Sequence, residues 1–385
     1  MYSFDYYNPT HISFGEGKIA ELDKLVPVTA KVLVLFGGNS ARSTGTLDEV
    51  KAALGERNIV EFGGIEANPT YETLMQAVTI VKEENIDFLL AVGGGSVIDG
   101  TKFVAAAAVF AGDPWDILLS WGAKVTTAMP FGTVLTLPAT GSEMNSASVI
   151  TRKEFQAKLS FMSNHVFPQF SILDPTKTLT LPERQVSNGV VDAFIHITEQ
   201  YLTFPVNAPV QDRFAEGLLQ TLVELGPLAL SQPDNVEVRA NLMWVATMAL
   251  SGVIGKGVPH DWATHMIGHE LTALYDIDHA RTIAMLLPGM LDIRRESKQD
   301  KLLQYGARVW GITQGTNDER IDATIEKTRE FFETMKIKTR LSDYQLTKTH
   351  IDEIMIQLER HGMTALGEHQ EVDLAMSRQI LERNL

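Results

Sequence analysis

Through the first 182 residues, short apolar runs alternate with stretches of helical period. Lys31–Phe36 (KVLVLF) runs into Gly37-Gly38, Phe88–Val92 (FLLAV) into Gly93-Gly94-Gly95, and Thr133–Leu137 stops at Pro138. Each reads as a buried strand that ends where glycine or proline turns the chain. The stretches Asp48–Leu54 and Tyr71–Asn85 read as helices, the second with Leu74, Val78 and Val81 on one face. Strands alternating with helices predict a mostly parallel sheet, whose ligands sit at the carboxyl ends of its strands.

After Leu181-Pro182 the period is helical almost throughout, interrupted at Pro205, Pro209, Gly226-Pro227, Pro233 and the glycines of 252–257. Asp234 or Asn235 can cap a helix reaching about Leu250, and Thr316 can start one reaching Met335. The expected organisation is an α/β domain over 1–182, of dinucleotide-binding type, and an all-helical domain over 183–385.

Composition narrows the function. The 385 residues carry 33 Lys+Arg against 48 Asp+Glu, a formal charge of −15, which disfavours nucleic acid or an anionic membrane as partner. The absence of cysteine excludes disulfides, thiolate metal sites and a cysteine nucleophile, and fits a reducing cytoplasm. No basic, apolar leader opens the chain, and the longest apolar run, Phe103–Ala111, is far shorter than the ~20 residues of a membrane span.

Four segments can carry chemistry. Gly93-Gly94-Gly95-Ser96, followed by Val97-Ile98-Asp99, leads from a strand into a helix, so its backbone N–H groups can receive a phosphate, or it is a tight turn capped by Ser96. The spacing is not G-x-G-x-x-G. Thr136-Leu137-Pro138-Ala139-Thr140-Gly141-Ser142-Glu143 is a hydroxyl-rich loop suited to a cofactor, or a solvated turn. Asp192 and His196 stand one turn apart on an otherwise apolar helix face, as a buried hydrogen-bonded pair or as metal ligands. His265 and His269 are likewise one turn apart, on a helix expected from about Pro259 to Tyr275, with His260 and His279 nearby. One carboxylate with imidazoles suits Fe2+ or Zn2+ rather than Mg2+ or Ca2+.

Together, GGGSVIDGTK, LPATGSE and the order Asp192-x3-His196, His265-x3-His269, His279 resemble the iron-containing (group III) alcohol dehydrogenase family. FGGIEANP and VPHDWATHMIGHELTAL are most similar to the bacterial butanol dehydrogenases and broad NADPH-dependent aldehyde reductases. The resemblance implies an N-terminal α/β dinucleotide domain, a C-terminal helical metal domain and a site in the cleft between them. It further implies that Asp192, His196, His265 and His279 ligate the metal, while His269 lines the site without being a ligand and is the candidate to relay a proton. Gly94, Gly95 and Ser96 match its pyrophosphate loop and Thr136, Thr140 and Lys158 its cofactor contacts; Gly37, Gly38, Asn39, Ser40, Asn68, Asp99, Leu137 and Ser142 are the further candidate cofactor residues.

The expected reaction is hydride transfer from NADPH to small and medium-chain aldehydes at one divalent ion, by a cytoplasmic homodimer. No acid lies between Lys31 and Leu47 to hold a free ribose 2′-hydroxyl, so NADPH is expected over NADH, with Arg42 either on the 2′-phosphate or in solvent. A related-fold polyol dehydrogenase or lyase and a metal-dependent hydrolase are the alternatives. The lyase would require a basic cluster beside the histidines, and none is visible.

Overall fold

The computed structural model describes all residues, 1–385. The chain forms two compact units. One comprises Tyr7–Leu181 and Asp234–Thr247, the other Met1–Tyr6, Pro182–Pro233 and Met248–Leu385.

The first unit is built on eight strands: β1 (His11–Phe14), β2 (Lys31–Phe36), β3 (Asn58–Phe62), β4 (Phe88–Gly94), β5 (Phe131–Leu137), β6 (Ala147–Arg152), β7 (Ala157–Met162) and β8 (Phe170–Leu173). Six of them form an all-parallel sheet in the order β1-β8-β5-β4-β2-β3. Successive side chains of a strand point to opposite faces, and here both faces are covered. Leu33, Leu35, Leu89, Ala91 and Leu135 pack with Leu74 and Val78 of α2 (Tyr71–Glu83) and Phe103 and Val104 of α3 (Gly95–Ala107). On the other face, Val32, Val34, Leu90, Val92 and Val134 pack with Leu47, Val50 and Leu54 of α1 (Thr46–Leu54).

Two local expectations change. Ser96 does not cap α3: the helix begins at Gly95 after Gly94, without a side-chain cap. Strands β6 and β7 form an antiparallel hairpin, pairing Ala147 with Met162 and Arg152 with Ala157. The charged sequence around Arg152-Lys153-Glu154 gives no clear alternation there, so the hairpin was not foreseen.

The second unit is helical: α4 (Glu183–Tyr201), α5 (Pro209–Ser231), α7 (Ala263–Tyr275), α8 (His279–Ile293), α9 (Gln299–Val309), α10 (Asn317–Thr334), α11 (Lys348–Arg360) and α12 (Leu374–Arg383). One of its cores joins Ile267 and Leu271 of α7, Met285, Leu286 and Met290 of α8, Ile354 and Leu358 of α11, and Ile380 and Leu381 of α12. The intervening α6 (Val236–Ala249) counts with the first unit up to Thr247. Its Met243 is fully buried in that unit's core, and Thr247 Oγ1 donates to Glu143 Oε1 at 2.6 Å. Met1–Tyr6 instead counts with the helices, where Tyr2 N–H donates to the Gly257 carbonyl at 2.9 Å. No helix is long and apolar enough to cross a membrane.

Candidate active site

In the α/β unit, β2 continues to β3 on one side, and β4 continues to β5 on the other. The carboxyl ends of β2 and β4 therefore flank the point where the winding reverses, the usual ligand crevice of an open parallel sheet. Gly37–Ser40 follows β2 there, Gly94 ends β4 and Gly95-Ser96 opens α3, with Thr136 and Leu137 closing neighbouring β5. Glycine is required at 95 because an added Cβ would lie 2.4 Å from Thr140 Oγ1. The glycine loop and the hydroxyl loop are thus in direct apposition.

Asp99 and Ser142 face each other in this arrangement. Ser142 Oγ donates to Asp99 Oδ1 at 2.6 Å, and Val149 N–H donates to Asp99 Oδ2 at 2.9 Å. Lys102, fully buried, donates to Asn145 Oδ1 (2.9 Å) and the Ala147 carbonyl (2.8 Å), and burial lowers its ammonium to about 8. These bonds tie α3 to the 140–149 segment. Lys158 Nζ, on β7, donates to Asn68 Oδ1 at 3.0 Å. The half-exposed Arg42 side chain pairs with Glu61 at 2.5 Å and lies 4.7 Å from the Phe36 ring centroid.

In the helical unit, three helices supply the histidine cluster, where two had been expected. Asp192 and His196 project from α4, His265 and His269 from α7, and His279 is the first residue of α8. Helix α7 begins later than expected, at Ala263. Trp262 adopts a left-handed conformation (φ 61°), and Asp261 Oδ1 receives the Ala263 N–H at 3.0 Å.

Donor atoms of Asp192, His265 and His279 lie within 4.8 Å of one another. Asp192 Oδ1 stands 3.7 Å from His279 Nε2 and 3.8 Å from His196 Nε2. The His196 and His265 rings stack, 4.7 Å apart. His196 and His269 both stand outside the three-residue donor group; His196 adjoins it through Asp192, and the His269 ring is 5.2 Å from His279 and 6.3 Å from His265. Asp192 is buried, and its Oδ1 accepts no hydrogen bond. A buried carboxylate oxygen facing imidazole nitrogens that lie beyond hydrogen-bond distance is costly unless a cation completes it. The donor set therefore fits a divalent ion.

Around the cluster lies a buried charge network that sequence reading missed. Glu199 of α4 hydrogen-bonds His265 Nδ1. Asp261 is held by Arg294 and, at 2.8 Å, by Lys298, and both cations also hold Glu368 at 2.7 Å. Burial alone would raise the Asp261 carboxyl, but Lys298 and Arg294 overcome it and hold it at about 2. Burial and nearby Asp261 push the Glu199 carboxyl upward. Glu199 was recoverable from the sequence, since it follows His196 by three residues on the same helix face.

Models of two segments of one family match the chain: the iron-containing alcohol dehydrogenase segment over residues 9–175, and the C-terminal segment of the Fe-containing alcohol dehydrogenase family over 186–382. The chain belongs to the iron-containing alcohol dehydrogenase family. It is 56% identical to the NADPH-dependent aldehyde reductase YqhD of Escherichia coli, over 99% of both chains. It is 42% identical to a probable NADH-dependent butanol dehydrogenase of Bacillus subtilis, over 94% of this chain and 95% of that one. Among solved structures, E. coli YqhD superposes with a TM-score of 0.99 at 55% identity, covering 100% of this chain and 99% of that one. A Thermotoga maritima NADH-dependent butanol dehydrogenase superposes with a TM-score of 0.95 at 32% identity, with the same coverage.

Proposed function

We propose that the chain reduces small and medium-chain aldehydes with NADPH at one divalent ion, Fe2+ or Zn2+, held by Asp192, His196, His265 and His279. It is an oxidoreductase of the alcohol dehydrogenase/aldehyde reductase type. The observation that carries the metal reading is the buried Asp192 oxygen aimed at imidazole nitrogens of His196, on its own helix, and of His279, on α8. When bound, such an ion supplies Lewis acidity toward a carbonyl oxygen, and reduced nicotinamide supplies the hydride.

The chain's own residues bind, orient and move a proton. The N–H groups at the start of α3 suit a pyrophosphate, and glycine at 94 and 95 lets this turn pack against Leu137 and Thr140 of the neighbouring loop. Gly37–Ser40 offers small residues and donors to the adenosine ribose. Glu61 approaches that loop, but Arg42 and Lys51 (3.3 Å) neutralise it, which favours a ribose 2′-phosphate over the bare hydroxyl. The names of the relatives divide between NADPH and NADH, so this loop, and not family membership, supports the choice. Asn68 and Lys158, paired with each other, and Thr136, Leu137 and Thr140 complete the cofactor reading, with Asp99 and Ser142 acting through the hydrogen bonds that shape the loop. His269, whose ring lies beside His279, is the residue to relay the product's proton, His196 being the one that adjoins Asp192.

The division at Pro182 into a dinucleotide domain and a metal domain belongs to this reading, as do a cytoplasmic location and a homodimer. The aromatic segment Tyr2, Phe4, Tyr6 and Tyr7 is exposed, as an association surface would be.

NADPH absorbance followed with butyraldehyde, before and after chelation, tests the reaction. His265→Ala should lose metal and turnover together, whereas His269→Ala should keep the metal and lose turnover by about 100-fold or more. A metal-free His269→Ala protein, with His279→Ala fully loaded, would show the ligands to be misassigned.

A further inference from the structure

Resting on that metal reading, we propose that Glu199 is a positioning residue for the ion: one carboxylate fixes both the imidazole of His265 and the start of the helix that carries it. Glu199 follows Asp192 by seven residues and His196 by three, so α4 presents all three on one face. Its side chain is only 3% exposed. Oε2 meets His265 Nδ1, while Oε1 accepts the N–H groups of Thr264 (2.8 Å) and His265 (3.4 Å). The Glu199 carbonyl also receives the Asp261 N–H at 2.9 Å, just before the left-handed residue Trp262.

Each contact does separate work. The bond to Nδ1 sets the ring's orientation and leaves Nε2 as its metal-facing nitrogen, because a histidine binds through one nitrogen while the other is held. The two backbone bonds fill the first-turn donors of α7, and the negative charge lies at the favourable end of that helix. The carboxylate therefore locks α7 to α4, the helix that supplies Asp192 and His196. A residue retained only for packing would be served equally well by glutamine.

Glutamine is accordingly the informative replacement. In Glu199→Gln the amide oxygen can still accept the Thr264 and His265 N–H groups, which turns the NH2 toward the ring. Nδ1 must then accept, Nε2 carries the proton, and the ligand atom is lost. The measurement is Co2+ affinity of chelator-stripped protein, by competition with a chromophoric chelator, together with the visible Co2+ spectrum and the thermal midpoint of the metal-free protein. Glu199→Gln should weaken Co2+ binding by about 10–100-fold and alter the spectrum, while the metal-free midpoint stays level or rises. In a His265→Ala background, the much weaker Co2+ affinity left to the remaining ligands should fall by no more than about a further threefold on the same change, because the ring it positions is gone.

An affinity within threefold of the parent overturns the proposal. So does a loss that comes with a lower metal-free midpoint, or one that persists in full in the His265→Ala background, since either marks general loosening. Should the glutamine variant not fold, Glu199→Asp, which keeps the charge but draws it back from the ring, carries the same comparison. Asp192→Ala separates the two readings: if it leaves Co2+ binding intact, the metal assignment fails, independently of Glu199.

Discussion

Replacing Arg294 with methionine tests whether the charge network beneath the histidine cluster stabilises the helical unit. The Arg294 side chain is 1% exposed and its guanidinium meets Asp261, Glu368 and Glu371. With methionine there, Lys298 must serve both Asp261 (2.8 Å) and Glu368 (2.7 Å), which are 5% and 2% exposed. One buried carboxylate is then left without a cation, at a cost of about 3–5 kcal/mol. For a unit of this size that corresponds to a fall of about 10 °C in the metal-free melting temperature, read by calorimetry on chelator-stripped protein. Adding Glu368→Gln removes the surplus charge and should recover at least half of the loss.

The acid limb supplies a second readout. Asp261 has its folded value depressed from an ordinary 3.8 to about 2, so its contribution is complete above pH 3.8 and fades as pH falls toward 2. In Arg294→Met that carboxyl should rise, and acid unfolding should begin at higher pH. A melting temperature within 3 °C of the parent, or a double variant less stable than the single one, would refute the reasoning.

Two changes in the α/β unit test the cofactor reading. Gly95→Ala places a methyl group 2.4 Å from Thr140 Oγ1, and the resulting overpacking, about 1–3 kcal/mol, should raise the NADPH Kd severalfold or more while the metal content stays constant. Gly38→Asp should fold normally, because an added Cβ at Gly38 meets nothing within 4 Å, and should shift the kcat/KM ratio from NADPH toward NADH; unchanged NADPH use would show that this loop does not read the ribose.

The sheet was legible because both its faces are buried. Apolar runs such as KVLVLF and FLLAV are what a central parallel strand requires, and their terminal glycines mark the edge where the chain must approach another loop. The β6–β7 hairpin was hidden for the opposite reason. It carries Arg152, Lys153, Glu154 and Lys158 among its apolar residues, and its pairing rests on contacts that no local period encodes. The start of α7 differs from the expected one because its first N–H groups are capped by a distant residue. Nothing in the Pro259–Ala263 segment announces that Glu199, more than sixty positions earlier, accepts the first N–H groups of α7.

The same distinction separates the visible part of the candidate site from the rest. Histidines and an aspartate one turn apart are conspicuous because an imidazole on a buried face needs a reason. Glu199, Asp261, Arg294 and Lys298 are ordinary letters of an acidic, soluble chain until burial makes each depend on the others. Arg294 and Lys298 are one turn apart on a stretch that also carries Arg295 and Glu296, and only the fold separates the buried pair from its more exposed neighbours. Their removal should therefore act on stability and on the metal's surroundings before it acts on any reacting atom. That order of effects distinguishes a supporting network from a catalytic one.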